Sequence, residues 1–457
     1  MFSPATFLRR LRPWQVVMAT LLFALGVQTA VVAGKFAGHP SGLFRVGSQS
    51  AGPAASQWLG FVPYVPLGGG SYDGQYFLFL AYDPFLRHGV ERFLDVPAWR
   101  ARRIGYPLLA WTLALGARPA IACALYAVNL AAVLGCVALL ARRMRGAGRA
   151  AVWGGAFVLF ASTFMVLTTL TCEGVATCGV LLAFLWHERG RPRAALAASL
   201  AAVLVKEVCL LWVAALAVSA LARRRGWLVA GCAATVGAWL LWGAYVDAHV
   251  SPQAPANGRD ATRSAGAASG APSATANGPS VGTVGGAPRA TTGSAYAGTA
   301  GAAPAAASSR GWAKAMGGRA LAFRAGYFTW PAAGAAKRLR TGWGDGSGSA
   351  AARVSRQATE AGLMLTLVAL GVQGLAGLRR REAWSDPTAL LFALCGAAAL
   401  CLDAQAWSWS GNFARQLYLL PAVALWRLPS AGRWGRGLLA AHVAFGVLRL
   451  AAVALNA

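Results

Sequence analysis

Apolar runs recur along this chain, and the short connections between them carry arginine. A bilayer-spanning helix needs roughly 20 apolar residues, and cytoplasmic loops carry an excess of Lys and Arg. The run from Trp14 to Gly34 follows Arg9, Arg10 and Arg12. It exceeds the apolar core of a signal peptide, so it is expected to be an uncleaved first span with the N-terminus in the cytoplasm. Pro119 to Ala141 ends at Arg142-Arg143-Met144-Arg145. The runs 150–186 and 194–222 are each too long for one span. They are expected to fold back at Thr168–Glu173 and at Lys206-Glu207, returning to His187–Arg193 and Arg223-Arg224-Arg225. Further spans are expected over 227–248, 359–378, 387–403, 417–428 and 437–455. The pattern predicts an all-α polytopic membrane protein of about eleven transmembrane helices. Two long outer loops carry interfacial helices, with Gly105 to Ala117 too short to cross. In a bacterium its place is the cytoplasmic (inner) membrane.

Only 12% of residues are charged, against about 25% in a soluble domain. The net charge of +28 would suit nucleic acid, but Lys occurs only at Lys35, Lys206, Lys314 and Lys337, and the Arg residues sit between apolar runs. That placement reads as topology, with a lipid bilayer as partner and no nucleic acid. The eight Cys lie in or beside apolar runs without C-x2-C spacing, and the five His are scattered. No metal site and no cofactor follow from the residues.

The chain divides into an N-terminal membrane module (1–250) holding the first outer loop (35–104), a low-complexity insert (251–309), an amphipathic segment (310–358) and C-terminal spans (359–457). The insert is almost entirely Ala, Gly, Ser, Thr and Pro, so it cannot bury a core and is expected to be disordered.

Carboxylates are scarce, 14 in 457 residues. Topology would bring Asp73, Asp83, Glu91, Asp95, Glu173 and Glu207 to one outer face. Glu188, Glu382 and Asp386 sit beside cytoplasmic arginines as ordinary ion pairs. Asp73 stands apart within Tyr72-Asp73-Gly74-Gln75-Tyr76, preceded by Gly68-Gly69-Gly70 and followed by Arg100, Arg102 and Arg103. A carboxylate can take an acceptor proton, and arginine grips phosphate with two donors. The plain alternative is a solvated loop aspartate. Lys206, Glu173 and Glu207 are ionisable at or near membrane depth, so each is expected to pair or to line a wet cavity. A Lys206–Glu173 or Lys206–Glu207 pair holding the turns together is the structural alternative. Asn412 and Arg415, in the last outer loop, are either part of the site or headgroup anchors.

Three stretches carry a resemblance: Tyr72-Asp73-Gly74-Gln75-Tyr76, Ala81-Tyr82-Asp83-Pro84-Phe85, and Arg102-Arg103-Ile104-Gly105-Tyr106-Pro107 with the apolar residues to Trp111. Together they resemble bacterial integral-membrane glycosyltransferases of the GT-C superfamily. The layout is similar to mannosyltransferases with a W-D-G-x-Y-like motif in the first outer loop, and to aminoarabinose transferases. It covers roughly residues 60–225. The resemblance implies a polyprenyl-phosphate-linked sugar donor used on the outer face, and a lipid, glycan or protein acceptor. Asp73 is implied as the catalytic base and Asp83 as a second acidic residue. Arg102 and Arg103 are implied as donor-phosphate ligands, with Tyr72, Gln75, Tyr76, Lys206 and Arg415 around the donor and Glu173, Glu207 and Asn412 in support. It leaves room for a divalent cation. Two other readings fit the same layout: a transporter or flippase of lipid-linked saccharides, and a non-catalytic membrane assembly protein that keeps the fold. No repeat relates the two halves, which weighs against transport.

Overall fold

Proline sets many of the helix starts. It occupies the first or second position of α1 (Pro13–Lys35), α2 (Pro53–Leu59), α4 (Pro97–Ala101), α6 (Arg118–Gly146) and α10 (Pro192–Val205). At these positions the missing N–H would have had no partner inside the helix anyway. The computed structural model describes residues 8–47, 52–65, 72–250, 350–401 and 417–455. The expected insert, Gly68-Gly69-Gly70, most of the amphipathic segment, Asn412 and Arg415 lie outside the described residues.

The other helices are α3 (Asp73–Tyr82), α5 (Gly105–Leu113), α7 (Val152–Gly155), α8 (Ala161–Thr169), α9 (Glu173–Glu188), α11 (Leu210–Ala222) and α12 (Gly226–His249). After the gap come α13 (Ala350–Gly377), α14 (Pro387–Cys401), α15 (Leu419–Trp426) and α16 (Arg433–Leu455). No strand occurs among the described residues. α13 begins before the boundary expected at 358 and runs through it.

Every apolar run contains helix, but length separates them. Four helices are long and apolar enough to cross a membrane: α1, α6, α12 and the Gln357–Gly377 part of α13. A fifth crossing is available if the pair Val152–Leu159 and Ser162–Thr169 counts as one, although it is bent by 65°. The first of the two spans expected from the run 150–186 is therefore broken. The break lies at Phe160, whose extended backbone (φ −71°, ψ 140°) interrupts the helix. In the apolar stretches of α1 and α12 only 22% of residues are buried within the protein. Such apolar surface is stable only against lipid or another apolar partner.

α6 packs against α1, α5 and α9; α9 lies along α10; α11 touches both α12 and α14; and α13 packs on α14 and α16. α13 and α14 approach through glycine: a Cβ on Gly396 would lie 2.6 Å from Gly371 Cα. Small residues allow this close backbone contact in membrane bundles.

Charge is segregated along α9. At its C-terminus Glu188 pairs with Arg143 at 2.8 Å and accepts the Trp426 indole N–H at 3.1 Å. Nearby, Arg427 binds Asp386 at 2.6 Å. The N-terminus of α9 carries Glu173. The helix is sixteen residues long, about 24 Å at 1.5 Å per residue.

Candidate functional site

α3 is held in the interior although the sequence around it is polar. All ten of its residues are buried. The Tyr72 N–H donates to the Arg45 carbonyl at 3.1 Å, and the Gln75 Oε1 accepts the Gly47 N–H at 3.0 Å. Gly74 is the contact point. A Cβ there would lie 2.9 Å from the Phe44 carbonyl oxygen and closer still to that of Thr169. Asp73 occupies the first position of α3, where the exposed N–H groups of a helix favour a carboxylate.

Two arginines from the α4–α5 corner meet it. Arg100 Nη1 lies 2.9 Å from Asp73 Oδ1, and Arg103 Nη1 lies 3.9 Å from Asp73 Oδ2. Each guanidinium is clamped on its other edge by a second carboxylate. Arg100 donates Nε and Nη2 to Asp95 at 2.8 and 2.9 Å. Arg103 donates Nε and Nη2 to Glu207 at 2.9 and 2.5 Å. These are bidentate, geometrically specific contacts. The rings of Tyr76 and Trp99 flank Arg100 at 4.2 and 4.6 Å, and Trp99 also lies 3.8 Å from the Arg103 guanidinium. Burial alone would raise the Asp95 carboxyl, but the Arg100 hydrogen bonds outweigh it and hold the group below the usual carboxylate value. Burial likewise works against Arg100 and Arg103, yet the carboxylates around them raise both.

Lys206 extends the network. It sits at an extended break (φ −158°, ψ 127°) between α10 and the 3-10 turn Glu207–Cys209. Its Nζ lies 2.7 Å from Glu173 Oε1 and 4.8 Å from the Tyr418 ring centroid. Both members of the pair are buried. The turns at 170–172 and 206–207 are thus joined by Lys206–Glu173, one of the two pairings that the sequence left open. Asp73, Arg103, Glu207, Lys206 and Glu173 lie in one ionic network. Arg100 and Asp95 join them. The sequence places Asp95 on the same outer face and Arg100 in the arginine cluster after Asp73, without naming either as a site residue. The five-residue spacing Asp95 to Arg100 across a helix-starting Pro97 was the available signal.

Two expected site residues lie elsewhere. Asp83 is at the opposite end of α3, about 15 Å from Asp73 by helical rise. Its carboxylate accepts the N–H groups of Arg87 at 2.9 Å and His88 at 2.7 Å, so it holds the turn after α3. Arg102 binds Asp247 at 2.7 Å and ties the corner to α12. Arg100, not Arg102, is the partner of Arg103 beside Asp73. Among the described residues no three His, Cys, Asp or Glu side chains are disposed to hold a metal ion. No known protein family, curated protein or solved structure matches the chain.

Proposed function

We propose that the protein is a membrane glycosyltransferase of GT-C type that uses a polyprenyl-phosphate-linked sugar. The reading rests on the Asp73 carboxylate flanked by the Arg100 and Arg103 guanidiniums. In this reading the acceptor hydroxyl gives its proton to Asp73 while its oxygen bonds to the sugar C1. The C1–O bond to phosphate breaks, and the arginines take the charge left on the departing phosphate. The bundle crosses about eleven times, with shorter helices completing crossings beside protein rather than lipid. The Arg143–Glu188 and Arg427–Asp386 end faces the cytoplasm by the positive-inside rule. The Asp73 cluster then lies at the outer face of a bacterial inner membrane, where lipid-linked donors and lipid or glycan acceptors meet.

One observation favours a second reading, a non-catalytic assembly protein. Arg100, Arg103 and Lys206 are all engaged by carboxylates, as they would be in a purely structural network. One assay separates the two. Purified protein is incubated with a set of polyprenyl-phosphate sugars and membrane-lipid acceptors. Sugar transfer that falls about 10²–10⁴-fold in Asp73→Asn, the usual contribution of a general base, supports the transferase. Transfer unaffected by Asp73→Asn, or absent with every donor while the protein is folded, refutes it.

A further inference from the structure

The chain up to Tyr72 contains no Asp or Glu, yet it carries Lys35 at the end of α1 and Arg45 shortly after it. The local fold brings these two cations together. The Phe36 and Gly38 N–H groups both donate to the Val32 carbonyl, at 3.2 and 2.9 Å. Ala37 and Gly38 are left-handed, with φ of 49° and 83°, so the chain leaves the helix abruptly. The 3-10 turn Pro40–Phe44 follows and is closed by Arg45, itself left-handed (φ 54°, ψ 49°). Glycine adopts that backbone freely and L side chains rarely do. The turn lays the Arg45 guanidinium over the buried Phe36 ring, 4.8 Å from its centroid. Phe36 is pinned in turn by Gly42, where a Cβ would run into the ring.

Arg45 is near enough for its charge to repel the Lys35 ammonium. Among the described residues neither cation forms an ion pair with a carboxylate. The Arg45 Nε is buried without a hydrogen-bond acceptor, which is costly for a guanidinium, and burial holds the group below its ordinary value. Asp73, the first carboxylate in the chain, faces Arg100 from the α4–α5 corner instead. The depth of the pair is set by α1. Its 23 residues reach about 34 Å, against a hydrocarbon core of roughly 30 Å. Its apolar stretch is only 22% buried within the protein. Lys35 therefore stands at the level of lipid headgroups, beside an apolar face open to acyl chains. In the orientation proposed above this is the outer end of α1, where the positive-inside rule supplies no reason for extra cations.

We infer that Lys35 and Arg45 form a binding site for the phosphate of an anionic phospholipid headgroup, in the leaflet that the C-terminal end of α1 reaches. The phosphate oxygens accept from the Arg45 guanidinium, whose planar fork suits them, and from the Lys35 ammonium. The acyl chains lie along the open face of α1. Phe36 and Gly42 are positioning residues that hold the guanidinium in place beside Lys35. The site differs from the Asp73 cluster in its residues, its helices and its ligand. The ligand is a lipid of the bilayer that takes no part in sugar transfer, so the inference does not rest on the glycosyltransferase reading.

The test is lipid binding, read without sugar transfer. The full chain in zwitterionic-detergent micelles is titrated calorimetrically with dioctanoyl phosphatidylglycerol, dioctanoyl phosphatidylcholine and, separately, inorganic phosphate. The wild type is expected to bind the phosphatidylglycerol more tightly than either other probe. Lys35→Gln and Arg45→Gln are each expected to weaken that binding at least about tenfold, the loss that follows removal of a charge-assisted hydrogen bond. Arg191→Gln removes an exposed cation from the α9–α10 connection and is expected to leave it unchanged. Phosphatidylglycerol binding that survives both Lys35→Gln and Arg45→Gln overturns the proposal. So does an equal loss in Arg191→Gln, which would mark a diffuse charge effect, or equal binding of phosphatidylcholine. Inorganic phosphate bound as tightly as the lipid would assign the pair to a free anion and overturn the lipid site. If Arg45→Gln does not fold, Lys35→Gln decides alone, because Lys35 is exposed.

Discussion

Removing the ammonium at Lys206 should destabilise the protein in a pH-dependent way, because it takes a buried carboxylate's nearest cation away. Lys206 Nζ lies 2.7 Å from Glu173 Oε1, and their side chains are 4% and 2% exposed. Lys206→Met keeps most of the volume and deletes the charge. Glu173 then has two courses: to remain charged without its cation, or to take up a proton. The second sets a ceiling on the cost. Protonating a carboxyl of ordinary pKa about 4.3 at pH 7 costs about 3.7 kcal/mol, at 1.36 kcal/mol per unit. Breaking a buried pair by deleting one partner typically costs about 3–5 kcal/mol, so about 3–4 kcal/mol is expected at pH 7. Each unit of pH below 7 should reduce the loss by about 1.4 kcal/mol, since the proton is then easier to acquire. The companion variant Lys206→Met with Glu173→Gln removes both charges and should recover most of the stability, as neutral replacement of a buried pair often does. The assay is reversible unfolding in mixed micelles at pH 5.5, 6 and 7. A loss below about 1 kcal/mol at pH 7, or a loss that does not shrink on acidification, would refute the view that this pair is buried and mutually dependent.

Other expectations test individual contacts. Asp83→Ala should lower stability by about 1–3 kcal/mol, because two loop N–H groups lose their acceptor; an Asp83→Asn protein that melts normally but has lost sugar transfer would contradict the turn-holding role. Gly74→Ala should destabilise by about 1–3 kcal/mol through overpacking, measured as the shift in unfolding midpoint, since its Cβ meets the Phe44 and Thr169 carbonyls. Asp95 and Asp386 are held below their usual carboxylate values despite burial, chiefly through Arg100 and Arg427. Depressed carboxylates contribute stability above the unfolded value of about 3.9, and it is lost as pH falls through the folded values. Thermal unfolding between pH 7 and 5 should therefore change little on their account and fall steeply below about pH 4, with the steep part reduced in Asp386→Asn.

Much of the helical framework was legible in the sequence because lipid imposes a simple code of apolar length and flanking arginine. The breaks at 170–172 and at Lys206 were visible because polar residues interrupt apolar runs there. The bend at Phe160 was not, since neither proline nor a polar cluster marks it and the extended backbone of one aromatic residue makes it. Topology placed Asp73, Asp83, Glu91, Asp95, Glu173 and Glu207 on one outer face, and of these Asp73, Asp95, Glu173 and Glu207 meet in one ionic network with Arg100, Arg103 and Lys206. Which arginine faces Asp73 was not legible. Arg100, Arg102 and Arg103 lie within four residues, and only the path of α4 into α5 turns Arg102 toward Asp247 and the other two toward α3. Asp83 misled for a related reason. Composition marks it as a scarce carboxylate, but the ten residues of α3 carry it to the far end of the helix.

The ionic network is also hard to explain as a device for stability. Four of the chain's 14 carboxylates and three of its cations gather at one end of the bundle. Burying such groups costs several kcal/mol each before pairing, and well-packed apolar residues commonly do as well or better. Elsewhere this chain uses the cheaper solution: Gly371 against Gly396 joins α13 to α14 without any charge. A sequence able to close helices on glycine did not need two bidentate arginine clamps merely to hold a corner. The clamps fix the direction of two guanidinium nitrogens, which matters for recognising an anion and little for packing. That argument favours a ligand-binding centre over a scaffold.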